Sequence, residues 1–201
     1  MTPFIQKTKD RVKTTLARLE VINPFDSLFE EIEFETLSYC NRKCDYCPNA
    51  TWERFGANQH FFMAEEVFQT LIKQLKDLEF KGQIAPHLYG EPMSDPRLLR
   101  WVEKMRQQLP ECRIKIVTNG DYLNRNSYDA MLEAGVDVFF VSKHSKQLKK
   151  KCRELLASLS KEEFNTHIVY NDFYSDFYED QGMLTNRGGD VELKTEAEKK
   201  P

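Results

Sequence analysis

No stretch of this chain stays apolar for the length that a bilayer crossing needs, so no membrane span is expected. The opening Met1-Thr2-Pro3-Phe4 lacks the apolar core of a secretory signal. Positive charge is not in surplus: 29 Lys and Arg against 32 Asp and Glu leave a net charge of −3. That balance argues against nucleic acid as the main partner, because a phosphate backbone is met by a basic surface. Cysteine is scarce, five in 201 residues, and three of the five crowd between positions 40 and 47. This distribution reads as a metal site in a reducing compartment rather than a disulfide framework. A cytoplasmic protein with poor tolerance of oxygen is therefore expected. No internal repeat shows at a fixed period. The composition, 40% hydrophobic and 30% charged, is globular, and the length suits one domain with a real core.

The crowded stretch is Cys40-Asn41-Arg42-Lys43-Cys44-Asp45-Tyr46-Cys47, just after a strand-like run. Cys40, Cys44 and Cys47 can converge only if the chain loops tightly, and the small and polar residues between them, with Pro48 and Asn49, fit such a loop. Three thiolates do not complete a tetrahedral structural zinc site, which takes four protein ligands. A four-iron cluster held by three cysteines keeps one iron open to an outside ligand, an arrangement suited to chemistry. A zinc knuckle lacking its fourth ligand, and thiols near each other by chance, are the plainer readings.

The spacing resembles the signature of the radical S-adenosylmethionine (radical SAM) enzymes, and Tyr46 before the third cysteine matches that family's aromatic position. The resemblance implies one [4Fe-4S] cluster on Cys40, Cys44 and Cys47. It also implies S-adenosylmethionine chelated to the open iron and cleaved reductively to methionine and a 5′-deoxyadenosyl radical.

Along the chain, Thr2-Pro3 is a helix start. Ile5, Val12, Leu16 and Leu19 then share one helical face opposite Lys7, Lys9, Arg11, Lys13 and Arg18. Residues 1–30 thus read as an amphipathic helix and connector, covering one end of the core or docking a partner. Glu31 to Leu37 alternates like a half-buried strand. Trp52, Phe55, Phe61 and Phe62 either wall off the cluster or pack the loop. Helices and strands then alternate: a helix over Val67–Leu78, a strand over Ile84–Tyr89, and a helix from Asp95-Pro96 to Leu109. A strand over Arg113–Val117 and a helix over Tyr128–Ala134, stopped by Gly135, come next. An apolar strand over Val136–Val141, a helical stripe from Leu148 to Leu159 and a strand over Thr166–Tyr170 follow. A last strand near Leu184–Val191 brings the count to about six, short of the eight that close a full barrel. The fold class is α/β, a partial (β/α)6 TIM-like open barrel over residues 31–191, with a disordered tail at 192–201.

In such folds the site lies at the C-terminal ends of the strands. These ends carry the cysteines, Gly90-Glu91-Pro92, Thr118-Asn119-Gly120, Ser142-Lys143-His144 and Asn171-Asp172. Gly90-Glu91-Pro92 resembles the family's Gly-Gly-Glu motif with Tyr89 in place of the first glycine. It implies that Gly90 backbone and the Glu91 carboxylate take the cofactor's ammonium. By the same resemblance Asn119 and Ser142 bind the cofactor's carboxylate or ribose, and Asn171 is a further candidate. Asn186-Arg187-Gly188-Gly189 resembles a late motif bordering the adenine, which brings in Arg187. That motif belongs to a subgroup usually carrying a SPASM or twitch domain. No cysteine lies beyond Cys152, so neither that domain nor auxiliary clusters are expected. Cys152, on an apolar stripe, and Cys112, at the far end of its strand, read as structural thiols. His144 is a hydrogen-bonding candidate or a plain loop residue.

The expected reaction is reductive cofactor cleavage, hydrogen abstraction, then rearrangement, cleavage or oxidation; no residue stands out as the catalytic contact to the abstracted hydrogen. Small size resembles maturases of ribosomally made peptides, including spliceases that excise tyramine. This implies a small accessory protein, a precursor peptide and a flavodoxin or ferredoxin-type reductant. The basic run from Lys143 to Arg153 is a solvated face or a landing place for an acidic partner. The aromatic and acidic run Phe173–Asp180 is a lid, a partner loop or a loosely packed helix. The alternatives are a radical enzyme acting on a small sugar or cyclitol, and a non-catalytic iron–sulfur or zinc-binding interaction module.

Overall fold

The computed structural model describes residues 29–44, 46–51 and 60–178. Five parallel strands stand in chain order: β1 (Glu31–Glu33), β2 (Gln83–Ala85), β3 (Arg113–Thr118), β4 (Val138–Ser142) and β5 (Ile168–Asn171). Register runs from Ile32 opposite Ile84, through Ile84 opposite Ile114 and Ile116 opposite Phe139, to Phe139 opposite Ile168. Between the strands lie α1 (Pro48–Thr51), α2 (Glu65–Asp77), α3 (Leu98–Gln108), α4 (Arg125–Ala134), α5 (Lys150–Ser158) and α6 (Lys161–His167). A last helix, α7 (Phe173–Tyr178), follows β5. The five described strands form an open sheet, the partial barrel expected from the alternation. The expected N-terminal helix, Trp52, Phe55, the strand at Leu184–Val191, Arg187 and the 192–201 tail lie outside the described residues.

The side-chain alternation of β3 and β4 divides the molecule. Ile114, Ile116, Phe139 and Val141 are fully buried under the helices. Lys115, Val117, Phe140 and Ser142, one position out of step, line a cavity on the opposite face. Under the helices, the Phe68 and Trp101 rings stack at 4.1 Å with 5° between their planes. The Trp101 Nε1 also donates to Glu65 at 2.8 Å.

The first two strands are shorter than alternation predicts. Phe34 N–H still donates to Ala85 O, but Glu35 then turns its carboxylate to accept the Tyr89 and Gly90 N–H groups. Leu37 instead forms an isolated antiparallel bridge with Phe62. A side-chain acceptor thus takes donors that a strand ladder would have used. Helix α6 was missed, although Ser160 and Glu163 close a reciprocal capping box on its first turn. Gly135 stops α4 at φ 111°, as the sequence indicated. Among the described residues, no helix is long and apolar enough to cross a membrane.

Trp101→Ala should lower the unfolding free energy by about 3–5 kcal/mol, the usual cost of emptying a large aromatic site. Leu78→Ala, at a position 44% exposed, should change it by less than about 0.5 kcal/mol. Urea denaturation compares the two, and equal losses would mean that the ring stack does not organise the helical layer.

Candidate active site

The cavity, about 300 Å³, opens at the C-terminal ends of the strands, and Cys40, Cys44 and Cys47 all line it. The cysteine loop is held locally by Cys47 N–H donating to Cys44 O at 2.8 Å. It is held at long range by Asp121, which accepts from Asn41 Nδ2 at 2.6 Å and from both Nε and Nη2 of Arg42, at 2.8 and 2.6 Å. Burial pushes the Cys40 thiol up to about 11. It is therefore protonated until a metal claims it, and loading releases that proton. Three thiols on one cavity wall are the donor set that an iron–sulfur cluster takes. Among the described residues, no three His, Cys, Asp or Glu side chains are grouped as ligands of a single ion. The residues present fit the cluster by their donor chemistry, three thiols lining one cavity.

Gly90-Glu91 is wedged against this loop. Glu91 N–H donates to Tyr39 O at 2.8 Å, and a Cβ on Gly90 would lie 2.0 Å from Leu37 O. The backbone contact thus demands glycine at position 90. Tyr89 is not among the described residues with positive φ, so the side chain that departs from the family motif brings no backbone strain. The Glu91 carboxylate, 2% exposed, accepts from Met93 N, Thr118 Oγ1 and Asn119 N at 3.1, 2.7 and 2.8 Å. Burial pushes its pKa up to about 7 against the pull of these three donors.

Of the other expected residues, Asn119 and Ser142 line the cavity, 5% and 3% exposed. Asn119 Nδ2 donates to Asn41 Oδ1 at 2.9 Å and also approaches Cys40 Sγ, at 3.8 Å. Tyr46 OH shares a 2.6 Å hydrogen bond with His144 Nδ1, and the His144 ring stacks on Phe173. Phe173, at the start of the aromatic run, thereby becomes part of the cavity wall. Asn171 is not among the lining residues; its backbone O accepts Lys143 N–H. Phe61 and Phe62 are 47% and 51% exposed and lie off the cavity. Cys112 is buried with its thiol donating to Phe80 O, and Cys152 is fully buried. Lys143 is no solvated helix residue: it pairs with Asp172.

Sequence reasoning missed Asp121, Glu33, His87 and Lys115. The last three line the cavity. Glu33 and Lys115 were recoverable from strand parity, since each alternates with residues facing the helices. Asp121 directly follows Thr118-Asn119-Gly120, but nothing local marks its bond to a loop 80 residues earlier.

Residues 34–148, more than half of the 201, match the Radical SAM superfamily. The S-adenosyl-L-methionine-dependent 2-deoxy-scyllo-inosamine dehydrogenase of Niallia circulans is 36% identical over 177 residues, 87% of this chain and 65% of that protein. The FeMo cofactor biosynthesis protein NifB of Klebsiella pneumoniae is 31% identical over 104 residues, 50% of this chain and 21% of that protein. Among solved structures, BtrN in complex with AdoMet and 2-DOIA superposes with a TM-score of 0.70 at 34% identity, covering 82% of this chain and 62% of that one. The chain thus spans just under two thirds of the dehydrogenase and of BtrN. The expected precursor peptide and accessory protein are overturned by this match, because the dehydrogenase aligned along most of the chain is named for a small cyclitol. The splicease reading leaned on size and architecture, neither of which distinguishes a peptide from a ring. Cysteine spacing, cavity and alignment agree: the chain belongs to the radical SAM superfamily, whose enzymes use a [4Fe-4S] cluster and S-adenosylmethionine.

Proposed function

We propose that this protein dehydrogenates a small hydroxylated ring, a cyclitol or a sugar. The observation that carries the reading is the 36% identity to a cyclitol dehydrogenase along 87% of the chain. The cavity supports it separately. At about 300 Å³ it lies at the low end of small-molecule sites, and it must also admit the cofactor. Its inward rows present Glu33, His87 and Lys115, groups that bind hydroxyl or amino substituents.

When bound, the cluster and S-adenosylmethionine supply a 5′-deoxyadenosyl radical that takes a hydrogen atom from the substrate. Cys40, Cys44 and Cys47 would hold the iron, while Gly90, Glu91, Asn119 and Ser142 would hold the cofactor. Tyr46 would be braced beside it by His144. Converting a secondary alcohol to a ketone requires two further transfers. The hydroxyl oxygen gives up its proton, and the remaining electron passes to a one-electron acceptor of the iron–sulfur class. Glu33 lines the cavity, so its carboxylate can meet a substrate hydroxyl or ammonium, or accept that proton. Lys115 is paired with Glu31 and presents a fixed cation nearby.

Glu91 gives the site a pH dependence. Its folded pKa of about 7 lies above the ordinary 4.5. Its contribution therefore favours the folded, unliganded protein at low pH and is lost as the pH rises through 7. A cofactor ammonium beside Glu91 reverses that preference. S-adenosylmethionine should then bind about fivefold tighter at pH 7 than at pH 6, with a proton released below 7. Glu91→Ala should bind weakly at both pH values while keeping its iron. Calorimetric titration measures both, and an affinity flat across this range would remove Glu91 from the cofactor site.

The substrate reading is tested with anaerobically reconstituted, reduced protein given S-adenosylmethionine and 2-deoxy-scyllo-inosamine. Ketone and 5′-deoxyadenosine should form in equal amounts. Glu33→Gln should lower kcat/KM by about tenfold to a hundredfold, the worth of one charged hydrogen bond, with iron content unchanged. If a panel of cyclitols and sugars leaves 5′-deoxyadenosine at its substrate-free rate, the reading fails.

A further inference from the structure

Arg42, between the first two cysteines, forms a part-buried ion pair with Asp121 that neither the cluster nor the cofactor requires as a ligand. Arg42 presents its fork to Asp121, Nε to Oδ2 and Nη2 to Oδ1. The two side chains are only 15% and 5% exposed. Planar, two-pronged bonding of this kind fixes orientation as well as distance. Asp121 is itself seated: its N–H donates to Asn119 Oδ1 at 2.9 Å, just after Gly120 turns the chain at φ 77°. Arg42 lines the same cavity as the three cysteines, and its backbone N–H donates to Cys40 Sγ at 3.4 Å.

We infer that Asp121 is a positioning residue that holds the Arg42 cation against the cysteine loop, and that the pair sets the reduction potential of the cluster bound there. Reduction adds one electron, and so one negative charge, to the cluster. A nearby cation favours that change and a nearby anion opposes it. Both side chains are largely withdrawn from solvent, so solvent ions screen them only in part. The two charges act on that change with opposite sign, and the fork fixes them relative to each other. The reductant that fills the cluster therefore works against a potential that the protein adjusts by one guanidinium and its counter-ion.

A merely structural clamp and an electrostatic pair make different predictions for single and double substitutions. In reconstituted holoprotein, with iron counted separately, the cluster is titrated anaerobically with dithionite and followed by its electron paramagnetic resonance signal. Arg42→Gln should lower the potential, because Asp121 is then unbalanced. Asp121→Asn should raise it, because Arg42 is then unbalanced. The double variant should return toward the wild-type value, a coupling that only interacting groups give. Arg42→Lys keeps the cation without the fork and should stay near wild type, so the comparison of Lys with Gln decides the matter even if Asp121→Asn fails to hold iron. Single variants that shift the same way, or Gln and Lys variants with the wild-type potential, would overturn the inference.

Discussion

The molecule turns on the crossing of Gly90 and Glu91 with the loop that carries the cysteines. The gap between Gly90 and Leu37 O admits no Cβ, and Glu91 is bonded through its N–H to the residue before Cys40. Its carboxylate is bonded to the end of β3 through Thr118 and Asn119. The cysteine loop and the end of β3 are thereby tied through one buried residue, Glu91. Placing such a group away from water is costly unless donors surround it, and three do. The cavity has its shape because this node keeps the cysteine loop over the strand ends.

Electrostatics around the node is arranged in two tiers. Glu91, pushed up to about 7, stands ready to become a full charge when a cation arrives. Arg42 and Asp121 are already charged and already paired. The first tier sits at the end of β3, the second on the cysteine loop. Glu33 and Lys115 line the same cavity and are placed there by strand parity alone.

Much of this was readable before any coordinates. The three cysteines, Gly90-Glu91, Asn119 and Ser142 sit where strand–helix alternation placed them, at one end of a parallel sheet. Gly135 marked its helix stop for a local reason, a left-handed turn. The losses have physical causes too. Strand lengths were overestimated because Glu35 takes N–H groups that alternation assigns to a ladder. Asp121 was invisible because its partners lie about 80 residues away, and one acid in a turn carries no local signature. The peptide reading failed because it drew substrate class from chain length, whereas substrate class is written in the inward-facing side chains.

The most direct measurement follows the hydrogen atom. A cyclitol deuterated at its carbinol carbons is turned over anaerobically with S-adenosylmethionine, and the 5′-deoxyadenosine is weighed by mass spectrometry. One deuterium in 5′-deoxyadenosine for each ketone formed is the expected result. Unlabelled 5′-deoxyadenosine, with ketone absent or formed without it, would contradict radical dehydrogenation of a ring alcohol by this protein.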